Sequence, residues 1–381
     1  MVMLLTKSDL EAVRRGYDAN PARSLSLRAE AYANPKWLAV EREAIFWRSW
    51  QWCCHGEKLR SAGDYVVVDV QGRSVSIVRD EAGTLRAFYN VCKHRAHELL
   101  KGAGHVNRIM CPYHAWVYDL TGQLRRAPHT ELLEDFSTGE ICLDPVRVEE
   151  FCGFVYVNLD PQAVPLAEQS VPLASEIMHF APDIDALTFA HRLEFTIRSN
   201  WKNVVDNFLE CYHCPTAHKD FCSMLQMDTY KVTTHGIYSS HMAKAAKGPN
   251  TAYTVEGATV DDHAVWFLWP TTCLLRYPGR GNFLVMNIIA VDEQTTRETY
   301  DFFFETAEPI PSEWEAIAYI RDVLQREDID IVESVQRGMA TPAFRQGRIV
   351  HHPQSGSTEH AVHHFHGLVL DAYSSVAERQ G

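Results

Sequence analysis

The sequence predicts an α+β protein in which a small antiparallel β module interrupts segments of mixed helix and strand. Residues 46–160 carry short β-branched and aromatic runs that are separated by turn residues such as Gln71-Gly72, a pattern typical of antiparallel strands. The preceding residues 1–45 show apolar side chains at helical spacing. Beyond residue 161, helical and strand-like runs are mixed, which indicates a larger domain with a sheet and helices.

Each predicted element has a local pattern behind it. In the N-terminal segment, Leu10, Val13 and Tyr17 lie at helical spacing, and a second helical pattern covers residues 40–50. A proline-bearing link over residues 160–172 leads out of the β module. The other predicted elements are strands at 64–70, 74–78, 85–89, 154–159 and 300–304, and one long helix at 311–338.

Composition restricts the possible classes of function. The 381 residues include 46% hydrophobic and 22% charged side chains, which is ordinary for a globular protein with a sizeable core. A formal net charge of −13 argues against a nucleic-acid partner. The apolar start Met1–Leu5 is too short for a signal peptide, and no apolar run is long enough to span a membrane. We therefore expect a cytoplasmic protein without a membrane partner.

Two cysteines and two histidines in the β module form a first candidate metal site. One residue separates Cys92 from His94, sixteen residues follow His94, and then come Cys111 and His114. Zinc could take all four ligands tetrahedrally. A [2Fe–2S] cluster of Rieske type instead uses two cysteines on one iron and two histidines on the other. Because each loop supplies one cysteine and one histidine, the pattern favours the cluster.

A second candidate metal site lies in residues 200–218. Apolar side chains at helical spacing predict a helix up to Tyr212, and on such a helix Glu210 and His213 would be neighbours. The proline two residues after His213 cannot continue a helix, so the chain should turn there and bring His218 back. A carboxylate and two imidazoles then converge, an arrangement that suits a divalent iron.

Together the two motifs make the chain resemble the terminal oxygenase subunits of Rieske non-haem iron oxygenases. The family pattern is C-x-H, about sixteen residues, and C-x-x-H, followed about a hundred residues later by N-W-K, a carboxylate, Y-H and a second histidine. Asn200-Trp-Lys and Glu210-Cys-Tyr-His carry the second part here. The usual C-P-H-R-G loop is altered at Lys93 and Ala96, which keeps every ligand, and we expect a looser or more exposed loop.

The resemblance implies a division of the chain and a set of cofactors. Residues 1–45 are expected to be a helical segment that packs on the catalytic domain. Residues 46–160 would form the Rieske domain and hold the cluster, and residues 161–381 would form a catalytic domain with an antiparallel sheet surrounded by helices. This domain would hold a mononuclear Fe(II) that uses O2 as co-substrate.

The resemblance also implies three ligands for the mononuclear iron. Two of them would be His213 and His218, with further positions open for O2 and substrate. The third would be the aspartate of a Glu-Asp pair on the long helix, which is Asp328 here. On the same helix, Asp330 and Glu333 are the alternatives.

Electron transfer in the family implies further roles. Glu210 is expected to accept hydrogen bonds from His213 and from His114 of the partner subunit. Asn207 lies near this site by motif, and Asp206 is expected to be structural or a neighbour of the electron path. A head-to-tail ring of three subunits would provide such contacts, so we expect a homotrimer.

The electrons themselves must come from another protein. No G-x-G-x-x-G fingerprint for a flavin or nicotinamide follows a strand in this sequence. We therefore expect NAD(P)H to act indirectly, through a separate flavin or iron–sulfur reductase or a ferredoxin.

Within this family, the sequence pattern of the chain resembles that of the oxygenases of carnitine, glycine betaine and stachydrine. This similarity implies hydroxylation of a small quaternary amine or betaine next to its nitrogen, ending in N-demethylation or C–N cleavage. A ring-hydroxylating oxygenase acting on an aromatic acid is the alternative among enzymes. Outside enzymes, the alternatives are a zinc-binding protein and an electron carrier.

A quaternary amine would be held by aromatic faces through cation–π attraction, and a carboxylate tail would need an arginine. The candidate residues for these contacts are Phe208, Tyr300, Trp266, Phe267, Trp269, Arg276 and Arg280. The histidine-rich run at residues 359–366 is expected to lie on a helix surface and in trimer contacts.

Overall fold

The protein divides into a β-rich unit and a larger mixed unit. The structure, a computed structural model, describes residues 5–255, 257, 261–280 and 282–380, so that most of the apolar start, Met1–Leu4, lies outside the described residues. The β-rich unit comprises residues 46–168, and the larger unit comprises residues 1–45 and 169–381. The β-rich unit is thus inserted in the sequence of the larger one, and the predicted α+β class is confirmed.

The β-rich unit contains ten strands in two antiparallel sheets. The strands are β1 (Gln51–His55), β2 (Asp64–Asp69), β3 (Ser74–Arg79), β4 (Leu85–Tyr89), β5 (Ala103–His105), β6 (Ile109–Met110), β7 (Val117–Tyr118), β8 (Leu124–Arg126), β9 (Pro145–Phe151) and β10 (Phe154–Asn158). The larger sheet has the order β1-β10-β9-β4-β3-β2-β5, and the smaller has the order β6-β7-β8. The four strands predicted in this module are confirmed as β2, β3, β4 and β10.

A buried apolar cluster supports the two loops that carry the first metal motif. The first loop follows β4, and the second connects β6 to β7. Cys92 and Cys111 belong to the cluster, together with Phe88, Trp116 and Tyr118. Each large side chain buried there stabilises the unit by about 1.5–3 kcal/mol. The two loops are therefore anchored in a well-packed core.

The larger unit is built on one seven-stranded antiparallel sheet. Its strands are β11 (Thr188–Ile197), β12 (Lys231–His235), β13 (Tyr238–Ala243), β14 (His263–Leu268), β15 (Thr272–Arg276), β16 (Phe283–Ala290) and β17 (Thr296–Phe304). Their order is β11-β17-β16-β15-β14-β13-β12. Every residue of β14 and β15 is buried, which shows that both faces of the central sheet are covered.

Helices surround this sheet and lead the chain into and out of it. They are α1 (Lys7–Arg14), α2 (Glu30–Ala33), α3 (Lys36–Glu41), α4 (Leu166–Gln169), α5 (Val171–Phe180), α6 (Trp201–Phe208), α7 (Cys214–Ala217), α8 (Lys219–Ser223), α9 (Pro311–Tyr319), α10 (Gln325–Met339) and α11 (His360–Gln380). No helix of the described residues combines the length and the apolar character that a membrane span requires.

Two helix predictions can be compared with this structure directly. The predicted long helix at 311–338 is confirmed, since α9 and α10 are joined by one wider π-type turn at Ile320–Leu324. The helical pattern predicted at 40–50 was placed too late, because α3 begins at Lys36 and its π-type extension ends at Phe46.

A buried charge cluster joins the N-terminal segment to α6. The carboxylate of Glu41 lies 2.5 Å from the ammonium group of Lys202, and neither side chain is exposed. The same carboxylate accepts hydrogen bonds from Trp201 Nε1 at 2.7 Å and from the Tyr373 hydroxyl at 2.6 Å. Burial lowers the pKa of Lys202, and the nearby carboxylate opposes this effect. The Trp-Lys pair of the N-W-K motif therefore holds the N-terminal segment in place.

Candidate active site and metal centres

The helix that leads into the active site is shorter than predicted. Asn200 is the N-cap of α6, and the helix ends at Phe208 rather than at Tyr212. Beyond its end, Oε2 of Glu210 accepts the backbone N–H groups of Tyr212 and His213. A turn held by this side chain thus replaces the last predicted helical turn, and it keeps Glu210 and His213 in contact.

The chain then turns at Pro215, as predicted from the sequence, and brings His218 back toward His213. Pro215 lies in the first turn of α7, where the missing N–H group costs nothing. His218 follows α7 directly, and its Nε2 lies 3.0 Å from Nε2 of His213. From α10, Oδ1 of Asp328 approaches to 3.0 Å from His218 Nε2 and to 3.6 Å from His213 Nε2. The structure therefore brings the three predicted iron ligands together.

These three atoms fit a single metal ion. All of them lie within 4.8 Å of one another. Metal–ligand bonds of about 2.1 Å at right angles would separate neighbouring ligand atoms by about 3.0 Å, which matches two of the three distances. The same three residues line a cavity, so a metal ion bound here would have an open side.

The hydrogen bonds of both histidines support the same conclusion. Nδ1–H of His213 donates to Glu210 Oε1 at 2.5 Å, and Nδ1–H of His218 donates to Glu327 Oε2 at 2.8 Å. Nε2 of each ring therefore faces the other ring and Asp328, an arrangement that a cation would stabilise. Burial alone would lower the pKa of His218, but Asp328 and Glu327 outweigh it and raise this pKa from 6.5 to about 9.

The two alternative ligands on α10 do not contact the metal position. Asp330 is exposed, and Glu333 forms an ion pair with Arg198 at 3.0 Å, so neither alternative ligand reaches the site. Sequence reasoning missed Glu327, which holds the ring of His218. Its position next to Asp328 was the available signal, because a metal-bound histidine commonly donates its second N–H to a carboxylate.

The two other residues predicted on α6 have different surroundings. Asn207 lines the cavity. Asp206 does not; its carboxylate accepts a hydrogen bond from the Tyr32 hydroxyl at 2.6 Å and lies 3.0 Å from Nε2 of His366. Nδ1 of His366 accepts the backbone N–H of Leu27 at 3.3 Å, so Nε2 is the donor to Asp206. Asp206 therefore has a structural role, since it links α6 to Tyr32 and His366.

Two histidines of the histidine-rich run are buried, so the predicted position on a helix surface is wrong for them. His366 is buried against Asp206. His363 is also buried and stacks on Tyr17 with ring centroids 4.9 Å apart. These histidines fix the C-terminal helix against the N-terminal segment of the same unit.

The two loops of the cluster motif have the same backbone conformation. Cys92 and Cys111 each accept a hydrogen bond at their carbonyl oxygen from the residue four positions later, which is Ala96 or Ala115. Both alanines have a positive φ, 57° and 55°, a conformation that costs an ordinary L-residue about 1–2 kcal/mol relative to glycine. The family's glycine at position 96 thus has a conformational reason, and its replacement here leaves the loop closed.

The side chains of these loops fit the predicted cluster. Both cysteines are buried, whereas His94 is exposed and its ring centroid lies 4.6 Å from that of His114. Nδ1 of His114 is buried without a hydrogen-bond partner, as expected for an atom that binds a metal. The Tyr118 hydroxyl accepts the N–H of Lys93 at 3.0 Å and lies 3.3 Å from Cys92 Sγ. It can therefore donate to the sulfur, a contact that tunes cluster potentials.

The cavity beside the predicted iron ligands has both aromatic and aliphatic walls. It encloses ≈ 650 Å³ of space between the protein atoms, including the solvent space at its opening. Its ring-bearing walls, apart from the iron ligands, are Phe208, Phe221, Tyr230, His263, Tyr277 and Tyr300. Two predicted substrate residues, Phe208 and Tyr300, are thus placed in the wall. The other rings come from distant parts of the sequence and were not predicted.

The remaining predicted substrate residues do not reach the cavity. Trp266 donates its indole N–H to Glu176 at 2.9 Å on the other side of the sheet. The rings of Phe267 and Trp269 both pack on Phe365, with centroids 5.8 and 5.7 Å away.

The two predicted arginines also do not line the cavity, and both have other partners. Nη1 of Arg276 donates to the carbonyl groups of Tyr277 and Gly279 at 3.0 Å, so this buried guanidinium holds a loop. Arg280 forms an exposed ion pair with Glu305. Neither arginine is available for a carboxylate inside the cavity.

A disulfide bond encloses one of the iron ligands. Cys211 and Cys214 are joined, with their Cα atoms 4.9 Å apart, and His213 lies between them in sequence. Both cysteines line the cavity. The C-x-x-C spacing of Cys211 and Cys214 is visible in the sequence and was the available signal for this bond.

Comparisons with known proteins agree with this geometry. Residues 49–137 match the family model of the Rieske [2Fe-2S] domain, and residues 184–375 match that of the ring hydroxylating alpha subunit (catalytic domain). The first range contains the four predicted cluster residues, and the second contains the three predicted iron ligands.

Curated relatives match along nearly the whole chain. The carnitine monooxygenase oxygenase subunit of Escherichia coli K12 is 38% identical over 93% of this chain and 96% of its own. Choline monooxygenase, chloroplastic, of Beta vulgaris is 30% identical over 95% of this chain and 80% of its own.

Solved structures also match along nearly the whole chain. The quaternary ammonium Rieske monooxygenase CntA in complex with L-carnitine has a TM-score of 0.83 and 34% identity, covering 94% of this chain and 98% of its own. Naphthalene 1,2-dioxygenase from Rhodococcus sp., at 18% identity and a TM-score of 0.80 over 97% of this chain and 98% of its own, shares the fold. With both metal motifs assembled and both domains matched, the chain belongs to the Rieske non-haem iron oxygenases and is an oxygenase α subunit.

Proposed function

We propose that this protein hydroxylates a small quaternary amine at a carbon next to the nitrogen, using O2 and electrons from a separate reductase. The observation that carries this proposal is the cavity, where aromatic rings and carboxylates surround the iron ligands. Aromatic faces attract a quaternary ammonium group through cation–π interactions. The relatives named for carnitine and choline oxidation support the same substrate class.

The overall conversion balances without any further co-reactant. One substrate C–H bond, O2, two electrons and two protons give one C–OH group and one water. When bound, the iron supplies O2 activation and the cluster supplies electrons. The carbinol next to nitrogen then breaks its C–N bond: nitrogen keeps the bonding pair as a tertiary amine, oxygen loses its proton, and an aldehyde remains. N-demethylation and C–N cleavage differ only in which carbon is hydroxylated.

The chain's own residues hold the reacting groups in place. Glu210 and Glu327 fix the rings of His213 and His218 so that Nε2 of each faces the metal position. Phe208 and Tyr300 narrow the cavity beside these ligands. A substrate held against the rings would present its N-bound carbons to the open side of the site.

Electron supply is proposed to use the surfaces of both units. The cluster histidines lie toward the surface of the β-rich unit, and Glu210 lines a second cavity, on the other side of α6 in the larger unit. In a homotrimer arranged head to tail, His114 of the partner subunit would reach Glu210 there. Electrons would arrive from NAD(P)H through a flavin or iron–sulfur reductase or a ferredoxin.

Replacing Glu210 with glutamine is expected to slow transfer from cluster to iron by about 10–100-fold while both metals stay bound. The amide keeps the size of the carboxylate but loses the charge that orients His213. Single-turnover oxidation of the reduced cluster in the presence of substrate measures this rate. Glu308→Gln, an exposed carboxylate, serves as the control, and an unchanged rate in the Glu210 variant would exclude the bridging role.

A substrate panel tests the proposed reaction itself. With NADH and a matched reductase, we expect substrate-dependent O2 uptake with choline, L-carnitine or γ-butyrobetaine, together with an aldehyde and a tertiary amine. Benzoate should give neither a phenol nor a diol, because it has no ammonium group for the aromatic faces and no described arginine or lysine lines the cavity to hold its carboxylate. A hydroxylated aromatic product would refute the proposal.

A further inference from the structure

Glu298 is a buried carboxylate in the cavity wall that neither the iron site nor the electron path uses. It lies on β17, two residues before Tyr300, so both side chains point to the same side of the sheet. Only 2% of Glu298 is exposed, and it lines the cavity.

Among the described residues, Glu298 receives one hydrogen bond and has no cationic side chain as a partner. Nε2 of Gln325 donates to Glu298 Oε2, and Oε1 of Gln325 accepts from the Tyr300 hydroxyl at 2.5 Å. No described residue forms an ion pair with Glu298. Burial, reinforced by the charge of Asp328, raises the pKa of Glu298 to about 8, although the hydrogen bond from Gln325 opposes this effect. Near pH 7 the neutral carboxyl is therefore favoured until a cation binds beside it, because a close positive charge favours the ionised form.

The charges of the described cavity lining also favour a bound cation. Its described lining contains the carboxylates of Glu210, Glu298 and Asp328 and no lysine or arginine. Glu210 faces His213, and Asp328 faces the metal position. His263, which also lines the cavity, is kept neutral because burial lowers its pKa to about 3. Glu298 is therefore the carboxylate left for a cation in the cavity.

We propose that Glu298 provides the counter-charge for the cationic head of the substrate, and that the cavity selects a cation without a carboxylate over a zwitterionic betaine. This inference rests on the proposed function. An unpaired carboxylate in a poorly hydrated cavity gains most from a weakly hydrated cation. A betaine would bring its own carboxylate into a cavity that has three already and no cationic side chain to hold it, which is unfavourable.

Glu298→Gln tests this role, because glutamine keeps the shape and the acceptor but removes the charge. We expect the KM for choline to rise by about 10–100-fold. Inhibition by 3,3-dimethylbutan-1-ol, in which carbon replaces the charged nitrogen, should change by no more than about twofold. Iron content and the cluster spectrum should match those of the unmodified protein.

Glu194→Gln is the matched control. Glu194 is on the neighbouring strand β11, where it pairs with Thr299 and so lies on the opposite face of the sheet from Glu298. Its side chain is 52% exposed. This variant removes the same charge and should leave both constants unchanged.

The unmodified protein provides a second test that needs no variant. Its kcat/KM for choline should exceed that for L-carnitine and γ-butyrobetaine by at least about tenfold. Preference for the zwitterions, or an equal loss for choline and the neutral alcohol in Glu298→Gln, would overturn the inference and leave the proposed function intact. If benzoate alone were oxidised, both would fail.

Discussion

Replacing His213 with alanine is expected to abolish oxygenase turnover while the spectrum of the [2Fe–2S] cluster persists. Its Nε2 is one of three atoms that could bind a single metal ion, and the two remaining atoms would bind iron far more weakly. Iron content should fall from about three atoms per chain to about two. Metal analysis and substrate-dependent O2 uptake on the same preparation measure both effects.

An exposed histidine serves as the control for this substitution. His179 lies on α5, away from both metal sites, and His179→Ala should retain about three iron atoms and full turnover. Loss of the cluster spectrum in the His213 variant would show that the effect is on folding. Turnover that survives with full iron content would show that His213 is not a ligand.

Replacing Glu41 with glutamine is expected to destabilise the larger unit by about 3–5 kcal/mol. The substitution leaves the ammonium group of Lys202 fully buried without its counter-charge, and it disturbs the hydrogen bonds from Trp201 and Tyr373. Chemical denaturation followed by tryptophan fluorescence, which Trp201 would report, measures the change.

The neighbouring Glu43 offers a close comparison because its side chain is exposed. Glu43→Gln should change the free energy of unfolding by less than about 0.5 kcal/mol. If the two variants had equal stability, the charge cluster would not be a main contact of the N-terminal segment.

The metal sites could be predicted because their ligands follow local spacing rules. Cys92 and His94, and likewise His213 and His218, are close in sequence, so the pattern of residue types was enough to identify them. Asp328 required the resemblance, since three carboxylates of one helix were equivalent by spacing alone. The structure distinguishes them by the direction of each side chain on α10.

The cavity wall could not be predicted in the same way. Phe221, Tyr230 and Tyr277 come from separate elements and meet only when the sheet forms. Trp266 and Phe267 are also aromatic and lie on β14. However, Trp266 contacts Glu176 and Phe267 packs on Phe365. Which aromatic residues face the substrate is therefore set by strand register and by the packing of helices on the sheet.

The order of the two units along the chain has a consequence for biosynthesis. Residues 46–168 form a continuous unit, whereas the larger unit needs residues from both ends of the chain, including Glu41 and Tyr373. During translation, the β-rich unit can fold as soon as it has left the ribosome, and the larger unit must wait for the last residues. The iron–sulfur centre is therefore expected to mature on the nascent polypeptide, ahead of ferrous iron uptake after chain release.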